Sequence, residues 1–261
     1  MNYDEMFDRN IGVFSSNEQA VIKGKAVTII GCGGMGGVTA QVLARTGFEN
    51  FYIADPDKYE TVNINNQFNA FNSTIGQNKA EVVCKMLKEI NPNVQVHVYS
   101  EGLTEDNLHQ LTSQSDVIFD CVDFNELFYS YILCREARRQ NKFVFSPQAI
   151  GYGGSVLIFD PEGESINEYL NLAEGMQKGD FDSVHINPEK YTRIQLDYIE
   201  KKVIDDVVAR SIPIPNLALA QTLMASIMVS EALFLLLNKR KPISIPKIIS
   251  VDVLKNIYNV E

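Results

Sequence analysis

"AVTIIGCGGMGG", residues 26–37, decides the fold. "AVTIIG" reads as an apolar strand of the kind buried on both faces of a parallel sheet. Directly after it, Gly31, Gly33 and Gly36 fit G-x-G-x-x-G at the start of a helix predicted from about Met35 to Arg45. Glycines permit a tight turn and a close approach of backbone N–H groups to phosphate, and a helix N-terminus favours negative charge. The loop N–H groups from Gly33 through Gly34 to Gly36 are therefore candidate phosphate donors. The next strand, "FYIAD", ends at Asp55, 19 residues after Gly36, where a carboxylate can hold ribose hydroxyls. This pattern specifies an adenine nucleotide, but not which one.

Working outward, "SSNE" at Ser15–Glu18 has capping-box spacing and opens a helix that stops near Gly24. Gln77 to Ile90 reads as a long helix, "VQVHVY" as a strand, "DVIFD" as a strand, Glu126 to Gln140 as a helix and "KFVFSP" as a strand. Strand and helix alternate, which is the pattern of an α/β, Rossmann-like doubly wound fold with a mostly parallel sheet. The pattern breaks after Pro161. The expected organisation is an N-terminal helical arm over 1–24, a nucleotide-binding core over 25–161, a crossover segment over 162–212, and a C-terminal part over 213–261. In that last part a long helix from Asn216 and "IISVDVLKNIYNV" complete the same domain with antiparallel C-terminal edge strands.

Composition excludes several function classes. The 261 residues are 45% hydrophobic and carry a net charge of −10, so neither nucleic acid nor an anionic membrane is the expected main partner, since both require a basic face. "MNYDEMFDRN" is neither a signal nor a transit peptide, and the expected compartment is the cytoplasm. Cys32, Cys84, Cys121 and Cys134 form no C-x-x-C pair, and His97, His109 and His185 have no metal-ligand spacing, so no disulfide framework and no zinc site is expected. The run from Leu217 to Leu237 is long enough to span a bilayer. It also holds Gln221, Thr222, Ser226, Ser230 and Glu231, which favours burial against a sheet or a subunit partner.

"RNIG" at Arg9, "GCGGMGG", "DPDKYETVNINNQ", "IGQNKAE" and "DCVDFN" together resemble the ThiF/MoeB/HesA family of ubiquitin-activating-like adenylyltransferases, over about residues 7–160 and more weakly from Pro213 to Asp252. The resemblance implies ATP and Mg²⁺ as cofactors and adenylation of a carboxylate. It assigns Lys79 to the ATP phosphates and Asp123 to magnesium and catalysis, a carboxylate that also precedes a helix as an N-cap would. Asp55 would hold the ribose, with Asp57 a weaker candidate in the same region, and Asp120 ends its strand. Asn63, Asn66 and Gln67 belong to the nucleotide-binding string. Arg9 matches an arginine that reaches the ATP phosphates of the neighbouring subunit, so a homodimer is expected.

The chain departs from the family in three ways. Asn66 stands where a phosphate-binding arginine is expected, the paired zinc cysteines are missing, and residues 162–212 contain no cysteine for a thioester relay. The expected reaction is adenylation of a peptide or small-protein C-terminus, such as that of a ubiquitin-like protein, or of a small-molecule acid, without a cysteine intermediate. The alternatives are a non-catalytic partner subunit of an activating complex and an NAD-dependent oxidoreductase; "GQNK" and "DCVD" count against the latter, since a dehydrogenase needs no further phosphate cation or magnesium carboxylate.

Overall fold

A computed structural model describes residues 2–185 and 187–261. Its centre is an eight-stranded sheet in the order β3-β2-β1-β4-β5-β6-β7-β8. β1 (Ala26–Ile30), β2 (Asn50–Ala54), β3 (Gln95–Tyr99), β4 (Val117–Asp120) and β5 (Phe143–Ile150) are mutually parallel. β6 (Gly153–Phe159), β7 (Ile249–Asp252) and β8 (Ile257–Val260) continue the sheet antiparallel. The chain proceeds outward from β1 to β3 and then returns to place β4 on the other side of β1. That reversal opens a crevice at the carboxyl ends of β1 and β4, where ligands of such sheets bind.

The helices follow local signals. α1 (Tyr3–Met6) precedes α2 (Ser16–Gly24), which carries the capping box expected at Ser15 and Glu18. α3 (Gly34–Thr46) connects β1 to β2 and ends on Gly47 in the left-handed region. α4 (Lys79–Ile90) starts two residues later than the Gln77 expected, because the Asn78 side chain accepts from Glu81 N and takes the cap. α5 (Glu105–Ser113), capped by Thr104, and α6 (Leu127–Arg139) flank β4 in the sequence. Within 162–212, α7 (Ile166–Leu170) and α8 (Lys201–Val208) are joined through short 3₁₀ turns. Tyr169 and Phe181 of this stretch pack with Tyr131 of α6 in the core on one sheet face, so it is anchored to the fold.

α9 (Ala218–Leu236) covers the other face. Its Met224, Met228 and Ala232 pack with Val27, Ile29 and Phe119 of the sheet and with Leu43 of α3. By length and composition this helix could cross a membrane. Here it lies against the sheet, as its polar residues imply. Thr28, the one hydroxyl in β1, is fully buried and donates to Leu111 O at 2.6 Å, which lets it sit in an apolar strand.

Glu231 of α9 is 2% exposed and accepts from Arg240 Nη1 at 2.8 Å and from Ile243 N at 3.2 Å. Arg240 is 43% exposed, so the two partners are not equivalent. Arg240→Ala leaves a carboxylate buried without its cation, at a cost of about 1–3 kcal/mol, whereas Glu231→Gln frees Arg240 to meet water and costs less. Urea unfolding of the two variants checks this order.

Candidate functional site

The loop between β1 and α3 is held from three sides. Gly31 has φ +88°, and a Cβ there would lie 2.3 Å from Cys121 O, because the loop crosses the end of β4. A Cβ on Gly36 would fall 1.7 Å from Gly31 O, so this glycine closes the turn on itself. Gly33 differs: a Cβ there meets only the Gln67 side chain, at 3.5 Å. No side chain caps α3, whose first N–H groups, from Gly34, have no helical acceptor. An uncapped helix start beside a glycine that the protein itself leaves uncrowded suits a phosphate group.

Asp55, at the end of β2, is 5% exposed, and its two oxygens accept from Cys32 N at 2.6 Å and from Asp57 N at 2.8 Å. It braces the glycine loop from below. Burial raises its pKa, against the lowering by the Cys32 hydrogen bond and the nearby Lys79 charge. Lys79 is the first residue of α4 and only 8% exposed, so it is not a solvated surface lysine. Its Nζ pairs with Asp57 Oδ2 at 3.1 Å, and Asp57 itself is exposed. A buried ammonium held by one exposed carboxylate can transfer to an incoming phosphate.

Asp123 lies three residues beyond the end of β4 and is exposed. It caps the following 3₁₀ turn, accepting from Asn125 N at 2.9 Å. The N-cap and the ligand roles expected of it are geometrically compatible, because one oxygen remains uncommitted. Asp120 does end β4 and is enclosed at 2% exposure beside Ser146, whose Oγ donates to it at 3.2 Å. Burial pushes its pKa up to about 6. It lines a small cavity with Asp123, Phe124, Gln148 and Tyr191. Burial also raises the thiol pKa values of Cys32, Cys121 and Cys134, which makes these thiols poor nucleophiles.

Asn63 completes a capping arrangement with Glu60, accepting from its N–H at 2.9 Å. Asn66 donates to Asn216 Oδ1, and Gln221 Nε2 donates to the same oxygen at 3.0 Å. Asn216 and Gln221 went unassigned in the sequence. Their signal was two carboxamides five residues apart, one just before and one in the first turn of a long, largely apolar helix. Arg9 is exposed, with no ion pair among the described residues. Its neighbour Asn10 donates to Thr46 O at 3.2 Å, at the far end of α3 from the glycine loop.

No cluster of three or more His, Cys, Asp or Glu side chains suited to a metal occurs among the described residues. A magnesium ion shared with nucleotide phosphates needs only one or two protein carboxylates, and the exposed Asp123 meets that requirement.

The ThiF family matches residues 7–260. Among curated relatives, the chain is 29% identical over 136 residues to tRNA threonylcarbamoyladenosine dehydratase of Bacillus subtilis, covering 49% of this chain and 53% of that one. It is 29% identical over 147 residues to the adenylyltransferase and sulfurtransferase MOCS3 of Drosophila sechellia, covering 56% of this chain and 32% of that one. The chain thus spans from about a third to about half of these relatives. Among solved structures, Escherichia coli MccB with ATP superposes with a TM-score of 0.72 at 16% identity, covering 98% of this chain and 70% of that one. The tRNA threonylcarbamoyladenosine dehydratase TcdA of Escherichia coli gives 0.67 at 22% identity, covering 90% and 95%. These likenesses show the same mostly parallel sheet with antiparallel C-terminal strands. With a family match over nearly its whole length and the glycine loop at the switch point of such a sheet, this chain belongs to the ThiF family.

Proposed function

We propose that this chain uses ATP and magnesium to adenylate a carboxylate, on a peptide or small-protein C-terminus or a small acid, without a cysteine relay. The observation that carries the reading is the uncapped start of α3 at the end of β1, with the buried Lys79 after the end of β2 and the exposed Asp123 after β4. Relatives named as adenylyltransferases and an MccB structure containing ATP support it.

Bound ATP supplies an electrophilic α-phosphorus and a pyrophosphate leaving group. The chain's own groups then have separate tasks. The N–H groups from Gly33 to Gly36 hold phosphate oxygens, and Lys79 exchanges Asp57 for the nucleotide and offsets charge that grows toward the leaving pyrophosphate. Asp123 would hold magnesium, which would supply further positive charge at the phosphates, while Asp55 keeps the loop in shape and would offer its remaining lone pairs to the ribose. The substrate carboxylate oxygen forms the new bond to phosphorus as the bond to pyrophosphate breaks.

We also propose a homodimer. The segment after β2 exposes Val62, Ile64, Phe68 and Phe71, and the Asn66–Asn216 contact brings it beside the exposed Leu217 and Leu219. This apolar surface at the mouth of the site suits a second copy of the chain. A non-catalytic partner subunit is the second reading, favoured by Asn66 itself.

The expected result is ATP–pyrophosphate exchange stimulated by a cognate carboxylate. Before that substrate is known, magnesium ATP should raise the melting temperature and NAD should not, since ligand at a hundred times its Kd stabilises by about 2.7 kcal/mol. Stabilisation by NAD alone would overturn adenylation. ATP binding without exchange for any carboxylate would favour the partner subunit.

A further inference from the structure

Asn66 stands where family resemblance places a phosphate-binding arginine, yet its amide is committed elsewhere. Asn216 Oδ1 accepts from both Asn66 Nδ2 and Gln221 Nε2, while Asn216 Nδ2 donates to Ile214 O at 3.0 Å. This arrangement has one consistent orientation. Reversing the Asn216 amide would set its NH₂ against two other NH₂ groups and lose the bond to Ile214.

With its Nε2 fixed in this way, the Gln221 side chain is directed at the glycine loop. It is 5% exposed, and its Cδ and Nε2 lie 2.8 Å from where a Cβ on Gly34 would be. A side chain at Gly34 would therefore displace the Gln221 carboxamide. Gln67, the residue after Asn66, lies beside Gly33 in looser contact, its side chain 3.5 Å from where a Cβ would be. Both glutamines have a buried Oε1 without a partner. Two carboxamides thus sit against the two glycines at which α3 begins, and Asn66 is joined to both, to one by covalent continuity and to the other through Asn216. The link extends further, since Pro215 O accepts from Gly151 N at 3.1 Å at the β5–β6 turn.

We infer that Asn66 is a positioning residue and not a phosphate ligand: through Asn216 and Gln67 it holds the glycine loop in the shape that receives the nucleotide. This rests on the nucleotide reading proposed above. A lost-arginine account and a positioning account make opposite predictions for one substitution. If the site merely lacks a cation, Asn66→Arg adds charge-assisted bonds and tightens ATP binding. If Asn66 positions the loop, Asn66→Arg replaces its short amide with a longer arm that does not keep the Asn66–Asn216 spacing, and weakens ATP binding.

The test is the dissociation constant of magnesium ATP for the full chain by calorimetry, with the nucleotide-free melting temperature as a control for folding. Asn66→Ala and Asn216→Ala should each weaken binding roughly tenfold. The double variant should be no weaker than either alone, since both act through one link. Asn66→Arg should bind more weakly than wild type. Tighter binding by Asn66→Arg, or unchanged binding by Asn216→Ala, overturns the inference and leaves the nucleotide reading intact. A wild type that binds no ATP at millimolar concentration overturns both.

Discussion

Asp123→Asn is expected to lower carboxylate-dependent ATP–pyrophosphate exchange by roughly 10²-fold or more, at an almost unchanged melting temperature. Under the proposed reaction Asp123 has two roles, and the two substitutions at this position separate them. As a cap, Asp123 accepts a hydrogen bond from Asn125 N at 2.9 Å, and the asparagine side-chain oxygen can accept the same bond. As a magnesium ligand it must carry charge, and the asparagine amide carries none. Asp123→Ala removes both, so it should match the asparagine variant in activity and lose a further ~0.5–2 kcal/mol of stability. If Asp123→Asn kept near-normal exchange while only Asp123→Ala lost stability, the residue would be a cap alone and the metal would sit elsewhere. Asp120 provides the contrast. It is enclosed beside Ser146 with its pKa pushed up to about 6, so it is ill placed to meet a hydrated cation.

Where the sequence was legible, local chemistry and the global fold agreed. The Ser15–Glu18 capping box, the apolar β1 and the glycines at 31, 33 and 36 each have one dominant local solution, and the sheet uses it. α5 and β6 were not anticipated. "TEDN" at Thr104–Asn107 does cap α5, but the helix is only nine residues long and carries a weak apolar stripe. β6 is buried along its whole length and starts with two glycines, so it shows neither alternation nor a preceding helix that would mark a strand. At the site, Lys79 and Asp123 could be read because the motifs that hold them, "GQNK" and "DCVD", resemble those of the ThiF family. The carboxamide chain could not. The pairing of Asn66 with Asn216 joins residues 150 positions apart, and neither residue type has a spacing rule that would reveal it.

Arg9→Ala is expected to lower exchange roughly 10- to 100-fold, and mixing it with Asp123→Ala is expected to restore about a quarter of wild-type activity. The first figure is the loss of one or more charge-assisted hydrogen bonds to phosphate, at about 1.5–3 kcal/mol each. The second follows from where Arg9 lies. Asn10, its neighbour, is tied to Thr46 O, and α3 is thirteen residues long, which puts Arg9 about 20 Å along the helix from the glycine loop. No arginine side chain spans that distance, so in its own chain Arg9 is remote from the phosphates. In a dimer it can serve the other protomer's site. A mixed dimer then has one site with both its own Asp123 and a partner arginine, and one site with neither. Random pairing makes about half of all dimers mixed, each with one live site of two, hence about a quarter. Mixed dimers detected by native mass spectrometry but showing no regained exchange would exclude a role for Arg9 across the interface. The charge that Asn66 does not supply would then have to come from Lys79 and the bound magnesium alone.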